Sequence, residues 1–359
     1  MPRATEHEPF LGRVTRTGTW EELSRGTYRV ILEALESGDY DLAAELLPVT
    51  VMEAQELHDI YGVWPADIVD WMLSAGADAQ DVAAARARLL TLIADGVEPD
   101  WEGAWSSYRA LTDVALVMCL ARDPQASAAV MRAHEQWRMA HDQAIDHVYG
   151  LLDVAVTLLG EECLPDVWNH LMSEWYDEHE RRLSPRNQPW SESARQLAVA
   201  IVDGFHGHLS GVDRLGDVEF IDEPDRIGFR FAPCGSGGRV MRDDTTDGKP
   251  RMEPPYGFSV TSKAYDWSFG QAGVCSYCVH CCLLNMTQPI DRLGFPERVI
   301  EPPVWPQSRE GGSCTWWVYR DPSLVPDDVY TRLGRTRARV EGATDGDVDD
   351  IDAKEVQSS

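Results

Sequence analysis

Lysine is nearly missing from this chain. Lys249, Lys263 and Lys354 are the three lysines among 359 residues, so arginine carries almost all of the positive charge. Basic residues number 32 against 60 acidic ones, and the formal net charge is −28. That balance excludes nucleic acid or an anionic membrane surface as the main partner, because phosphate binding needs a basic footprint. The acid excess reads as solubility. The first twenty residues hold no apolar stretch of the kind a secretory signal needs. No run approaches the ~18 apolar residues of a membrane-spanning helix. A soluble cytoplasmic protein is expected, with a small-molecule substrate or ligand as its partner and a homodimer left open. Several catalytic signatures are missing as well: there is no G-x-S-x-G elbow, no G-x-G-x-x-G, no kinase set, no H-E-x-x-H and no Glu-x-x-His.

What is present supports an α+β chain of two or three domains. Residues 1–20 read as a loose arm, and residues 21–190 as a helical domain. "YRVILEALESGDYDLAAELL" has apolar residues at helical spacing, broken by a Ser-Gly-Asp turn. Residues 63–75 read as a separate helix, with Pro65 in its first turn and Gly76 as its stop. This half reads as duplicated, in units of about 21–98 and 102–183. His141-Asp142 follows His58-Asp59 by 83 residues, and Gly160 follows Gly76 by 84. Such a pair buries its apolar stripes against each other. Asp142 and Asp146, four apart, read as part of a solvated or capped acidic face.

After the breaker "LSPRNQPW" one more helix is expected, capped by Ser191 or Ser193. The texture then changes to short strands, at residues 218–221, 226–232 and 314–321. These define a cysteine-rich α+β domain over residues 191–335 with an antiparallel sheet. An acidic, disordered tail is expected over 336–359.

Six of the eight cysteines crowd this C-terminal third: Cys234, Cys275, Cys278, Cys281, Cys282 and Cys314. In a reducing compartment such clustering points to metal or catalysis rather than disulfides. Cys119, in "VALVMCLA", reads as core, and Cys163 as structural. "CSYCVHCC" contains C-x-x-C-x-x-C, a step that lets sulfurs converge on one ion while backbone N–H groups face the thiolates. Cys234, Cys275, Cys278, Cys281 and Cys314 are the candidate ligands, with His280 and Cys282 as further candidates. Zinc is favoured, and an iron–sulfur cluster also suits the spacing. In "APCGSGGRVMR", Gly235, Gly237 and Gly238 permit close backbone approach to a ligand, and Arg239 could bind a carboxylate. Cys234 is either a ligand or a nucleophile activated by the loop's N–H groups. His206, His208 and His280 are the candidate general bases.

The order "VEFIDEPDRIGFRFAPCGSGG", then "YCVHC", then "GGSCTWWVYRDP" resembles two related families. One is the 4-vinyl-reductase-type small-molecule-binding domain, and the other the L-2-amino-thiazoline-4-carboxylate hydrolase-like family. The resemblance covers roughly residues 195–322. It implies a twisted antiparallel sheet, a small-molecule pocket and, in some members, bound zinc. By position it makes Cys234, Cys278, Cys281 and Cys314 the metal or active-site cysteines. The chain departs from the pattern in its extra Cys275 and Cys282 and in the Gly-rich loop. The resulting expectation is a zinc-thiolate hydrolase or lyase for a small carboxylated or S/N-containing molecule. A binding or sensory module with structural zinc, and an iron–sulfur redox protein, are the alternatives.

Overall fold

A computed structural model describes residues 3–212, 214–243 and 249–337. The expected acidic tail lies almost wholly outside these residues. Strands β1 (Thr5–Glu8) and β2 (Arg13–Arg16) pair antiparallel, where the sequence suggested a loose arm. Charges from far along the chain hold this hairpin down. Arg195 reaches the Glu8 carboxylate at 3.1 Å, and Arg13 pairs with Asp203. Nothing local in the sequence advertises those partners.

Helices α1 (Trp20–Leu23) and α2 (Thr27–Ser37) follow. Gly38, in the left-handed region at φ 83°, ends α2, and Asp39 caps the next helix by accepting from the Leu42 N–H. That helix, α3 (Tyr40–Ser74), runs unbroken for 35 residues with Pro48 and Pro65 inside it. The separate helix expected from residue 63 is therefore the second half of α3. Proline removes one backbone donor but leaves the rest of a long, packed helix intact. Next come α4 (Ala79–Ala94), α5 (Trp101–Leu120), α6 (Ala126–Leu159), α7 (Leu164–Leu183) and α8 (Trp190–Gly207). Each suggested repeat thus centres on one long helix, α3 or α6. Helix α8 begins at Trp190 after Pro189, so neither Ser191 nor Ser193 caps it. Ser193 is buried instead, and its hydroxyl donates to the Leu183 carbonyl.

Strands β3 (Glu219–Glu223) and β4 (Arg226–Phe231) form the expected hairpin. Short helices α9 (Gly237–Val240), α10 (Val279–Cys282) and α11 (Gln288–Leu293) precede β5 (Val299–Glu301), β6 (Cys314–Tyr319) and α12 (Asp327–Arg332). The sheet order is β3-β4-β6-β5, antiparallel throughout, so the chain is α+β. No helix of the described residues is long and apolar enough to cross a membrane.

Helix α6 is the spine that joins the two halves. Asp142, Asp146, Tyr149 and Asp153 recur at helical spacing along one face, and the C-terminal half is laid against them. Asp142 takes both terminal nitrogens of Arg214, at 2.6 and 2.5 Å. Asp146 takes Arg239 at 2.6 Å and Arg251 at 2.7 Å. Tyr149 donates to the Ser259 carbonyl, and Asp153 accepts from the Ser259 N–H. Both Asp142 and Asp146 are buried, so the solvated acidic face expected here is instead an internal clasp. One continuous apolar core runs through both halves.

Candidate thiol centre

Sheet register brings the first two thiols together. Phe231, the last residue of β4, pairs with Cys314, the first of β6, and Cys234 lies on the turn after β4. Cys278 precedes α10 and Cys281 lies within it, one turn apart, so both face the same way. Cys234, Cys278, Cys281 and Cys314 line one cavity of about 20 Å³, walled by Phe269 and Trp316 among others. That is room for a single water or ion. Cys275 is buried behind Cys278, with its sulfur 3.1 Å from that of Cys278 and accepting the Cys278 N–H. Cys282 turns elsewhere and accepts from the Phe269 N–H at 3.3 Å.

The Gly-rich loop is shaped by close approach. A Cβ on Gly237 would sit 2.2 Å from the Cys278 sulfur, and one on Gly235 would sit 1.6 Å from the His208 carbonyl oxygen. The Gly238 N–H donates to the Cys234 sulfur at 2.9 Å. The loop therefore aims a backbone donor at the Cys234 sulfur. Arg239 is 1% exposed and turns into the α6 clasp, away from the cavity. His206 also turns away, its Nδ1 3.0 Å from Glu53.

Burial pushes the Cys234 thiol up, against the opposing Gly238 N–H. The hydrogen bond with Cys275, then burial, raises Cys278 well above its ordinary value, and burial does the same for Cys281 and Cys314. Without a cation among them these sulfurs are protonated at neutral pH. Among the described residues, no group of three or more His, Cys, Asp or Glu side chains stands at metal-holding spacing. The 3.1 Å separation of Cys275 and Cys278 is also shorter than the ~3.8 Å edge of a tetrahedron with ~2.3 Å zinc–sulfur bonds. The four thiols offer the donors that a thiolate-preferring ion takes, but they do not stand at metal-holding spacing. The cavity is smaller than an iron–sulfur cluster, which carries sulfides as well as irons.

Two histidine arrangements flank the thiols. His280 Nδ1 contacts the Tyr277 carbonyl, which can only accept, so Nδ1 carries the proton and bare Nε2 faces the Cys281 sulfur at 3.3 Å. Burial pushes His280 down to about 4, which makes it a weak base at neutral pH. The second arrangement is a relay. His141 Nδ1 donates to Asp142 at 3.2 Å, so its Nε2 accepts from His208 Nδ1 at 2.9 Å. His208 Nε2 is thereby left as the proton-accepting end. Burial, then His141 and His280, hold His208 well below its ordinary value. No residue pattern near His208 announces this relay, because His141 comes from the helical half.

On the helical side a cavity of about 320 Å³ opens between α3, α5 and α6, bounded by Tyr61, Trp101, Gln143 and His147 among others. Tyr61 is its link to the thiols. The Tyr61 hydroxyl meets that of Tyr277 at 2.5 Å, and Tyr277 lines the thiol cavity. The Tyr61 ring also lies 6.5 Å from that of His208. Compared with protein-family models, curated proteins and solved structures, the chain matches none.

Proposed function

We propose that Cys234, Cys278, Cys281 and Cys314 hold one zinc ion as thiolates, and that the centre serves hydrolysis or elimination on a small molecule. The convergence of these four sulfurs on a single ion-sized cavity carries the reading. A bound ion would supply Lewis-acid polarisation or an activated water. The protein's own residues supply the rest. The Gly238 N–H steadies the Cys234 sulfur. The chain of contacts from Asp142 through His141 fixes the His208 ring. The larger cavity, of small-molecule size, gives the substrate its place beside Tyr61. The thiol cavity itself is too small for that part.

A second reading rests on the number of thiols. Four sulfurs close a tetrahedral sphere, which is the pattern of a structural rather than a catalytic ion. The two readings differ in ligand count. Titration of anaerobic, metal-stripped protein with zinc against a coloured chelator tests the common core of both. Uptake of one ion, abolished by Cys234→Ser and Cys314→Ser but retained in Cys119→Ser, is expected. Equal uptake by all four proteins would sink the assignment.

A further inference from the structure

A cavity of about 350 Å³ lies beneath the β1–β2 hairpin, on the side of α8 that carries His206 rather than His208. Five carboxylates line it against the guanidiniums of Arg16 and Arg195. Arg195 is already engaged by Glu8 and Glu192. Asp203 has Arg13. Glu53 is buried, and its hydrogen bonds come from the Thr27 hydroxyl at 2.5 Å and His206 Nδ1 at 3.0 Å. Because a carboxylate only accepts, His206 Nδ1 carries a proton, and in the neutral ring Nε2 is an acceptor. That Nε2 is buried and has no hydrogen-bond partner among the described residues. His206 itself is 4% exposed. A buried acceptor without a donor is costly unless a ligand or water supplies one. Burial, together with the neighbouring charges of Glu53 and Glu56, also pushes the Asp203 carboxyl up to about 7 despite Arg13. Arg16 offsets part of this charge, its nitrogens donating to the Glu22 and Arg25 carbonyls, but five carboxylates still face two guanidiniums across the chamber, and His206 Nε2 is without a partner there. Phe10 and Trp20 form part of its wall.

We propose that this chamber is a second binding site, independent of the thiols, and that it takes a small organic ammonium ion bearing an aromatic or apolar group. The ammonium would sit between Glu53 and Asp203, with donors for the unfilled acceptors. The apolar part would lie against Phe10 and Trp20, where an aromatic face also favours a cation. Charge and hydrogen-bond direction agree on this ligand class, since an anion would face the carboxylates and a neutral alcohol would leave the potential unmet.

Calorimetric titration of the full chain with benzylamine, benzyl alcohol and benzoate separates the classes. Saturable binding of benzylamine is expected, at least tenfold tighter than benzyl alcohol, with no binding of benzoate. Glu53→Gln and Asp203→Asn should each weaken benzylamine tenfold or more. Val199→Trp, at a half-buried position on the chamber wall, should abolish binding without loss of the folded signal in circular dichroism. Benzoate or benzyl alcohol binding as tightly as benzylamine overturns the cation assignment. No saturable benzylamine binding, or binding undiminished in Val199→Trp, overturns the site. Should Glu53→Gln fail to fold, the other two variants still decide the matter.

Discussion

Replacing Asp146 with alanine tests the clasp that holds the thiol loop to the helical half. The Asp146 carboxylate receives Arg239 at 2.6 Å and Arg251 at 2.7 Å, and all three side chains are buried. Its removal takes one carboxylate from both guanidiniums, leaving Arg239 with Asp142 at 3.4 Å, inside a low-dielectric interior. Breaking a buried ion pair from one side costs about 3–5 kcal/mol, chiefly because the remaining charge is uncompensated. For a chain of this length that unfolds as one unit, an unfolding entropy of ~2.1 cal/mol/K per residue converts this to a fall in Tm of about 4–7 °C. Calorimetry reads the fall directly. Arg239 lies five residues after Cys234, so the Gly-rich loop should also loosen, and Cys234 should alkylate faster with iodoacetamide. Asp146→Asn should lie between the two proteins, since it keeps acceptor geometry without charge. An alanine variant within about 1 kcal/mol of the parent, with unchanged thiol reactivity, would refute the reasoning, because a 3–5 kcal/mol cost cannot vanish at a buried site.

Other consequences follow from the same contacts. Gly237→Ala places a Cβ 2.2 Å from the Cys278 sulfur, so overpacking of about 1–3 kcal/mol and loss of zinc uptake are expected, in urea melts and metal analysis respectively. Burial would raise the Asp142 carboxyl, but Arg239 and Arg214 hold it well below its ordinary value. Its folded value thus lies under the unfolded one of ~3.9, so its contribution to stability is present above about pH 4–5 and is lost as pH falls further. Asp142→Asn should flatten that acid limb in urea unfolding between pH 3 and 7, and an unchanged limb would count against the clasp. Because the four thiols are held protonated, zinc binding should release protons and strengthen as pH rises. Titrations in buffers of different ionisation enthalpy measure that release, and none at all would contradict thiolate ligation.

The α+β class and strands β3, β4 and β6 of the sheet were legible in the sequence, and the packing between the two halves was not. The family resemblance singled out the four sulfurs that line the cavity, whereas the cysteine spacing alone also offered Cys275, which does not line it. The clasp was not legible. Asp142 and Asp146 look like a wet helix face until Arg214, Arg239 and Arg251 arrive from at least 72 residues further along. The same distance effect moved Arg239 from substrate binding to anchoring, and turned His206 toward Glu53. The N-terminal hairpin was missed because its strands are short and polar, and are held by Arg195 on α8. Proline misled at residue 65, where a packed 35-residue helix outweighs one missing donor.

The central claim is that Cys234, Cys278, Cys281 and Cys314 bind one ion together. Elemental analysis with zinc-edge X-ray absorption on anaerobically purified protein tests it most directly. One zinc per chain is predicted, with sulfur as its dominant neighbour and with loss of the ion in Cys278→Ser. A first shell of four sulfurs would favour the structural role, and three sulfurs with one oxygen or nitrogen the catalytic one. Protein that stays free of metal after zinc loading, with all four thiols titratable, would contradict the account.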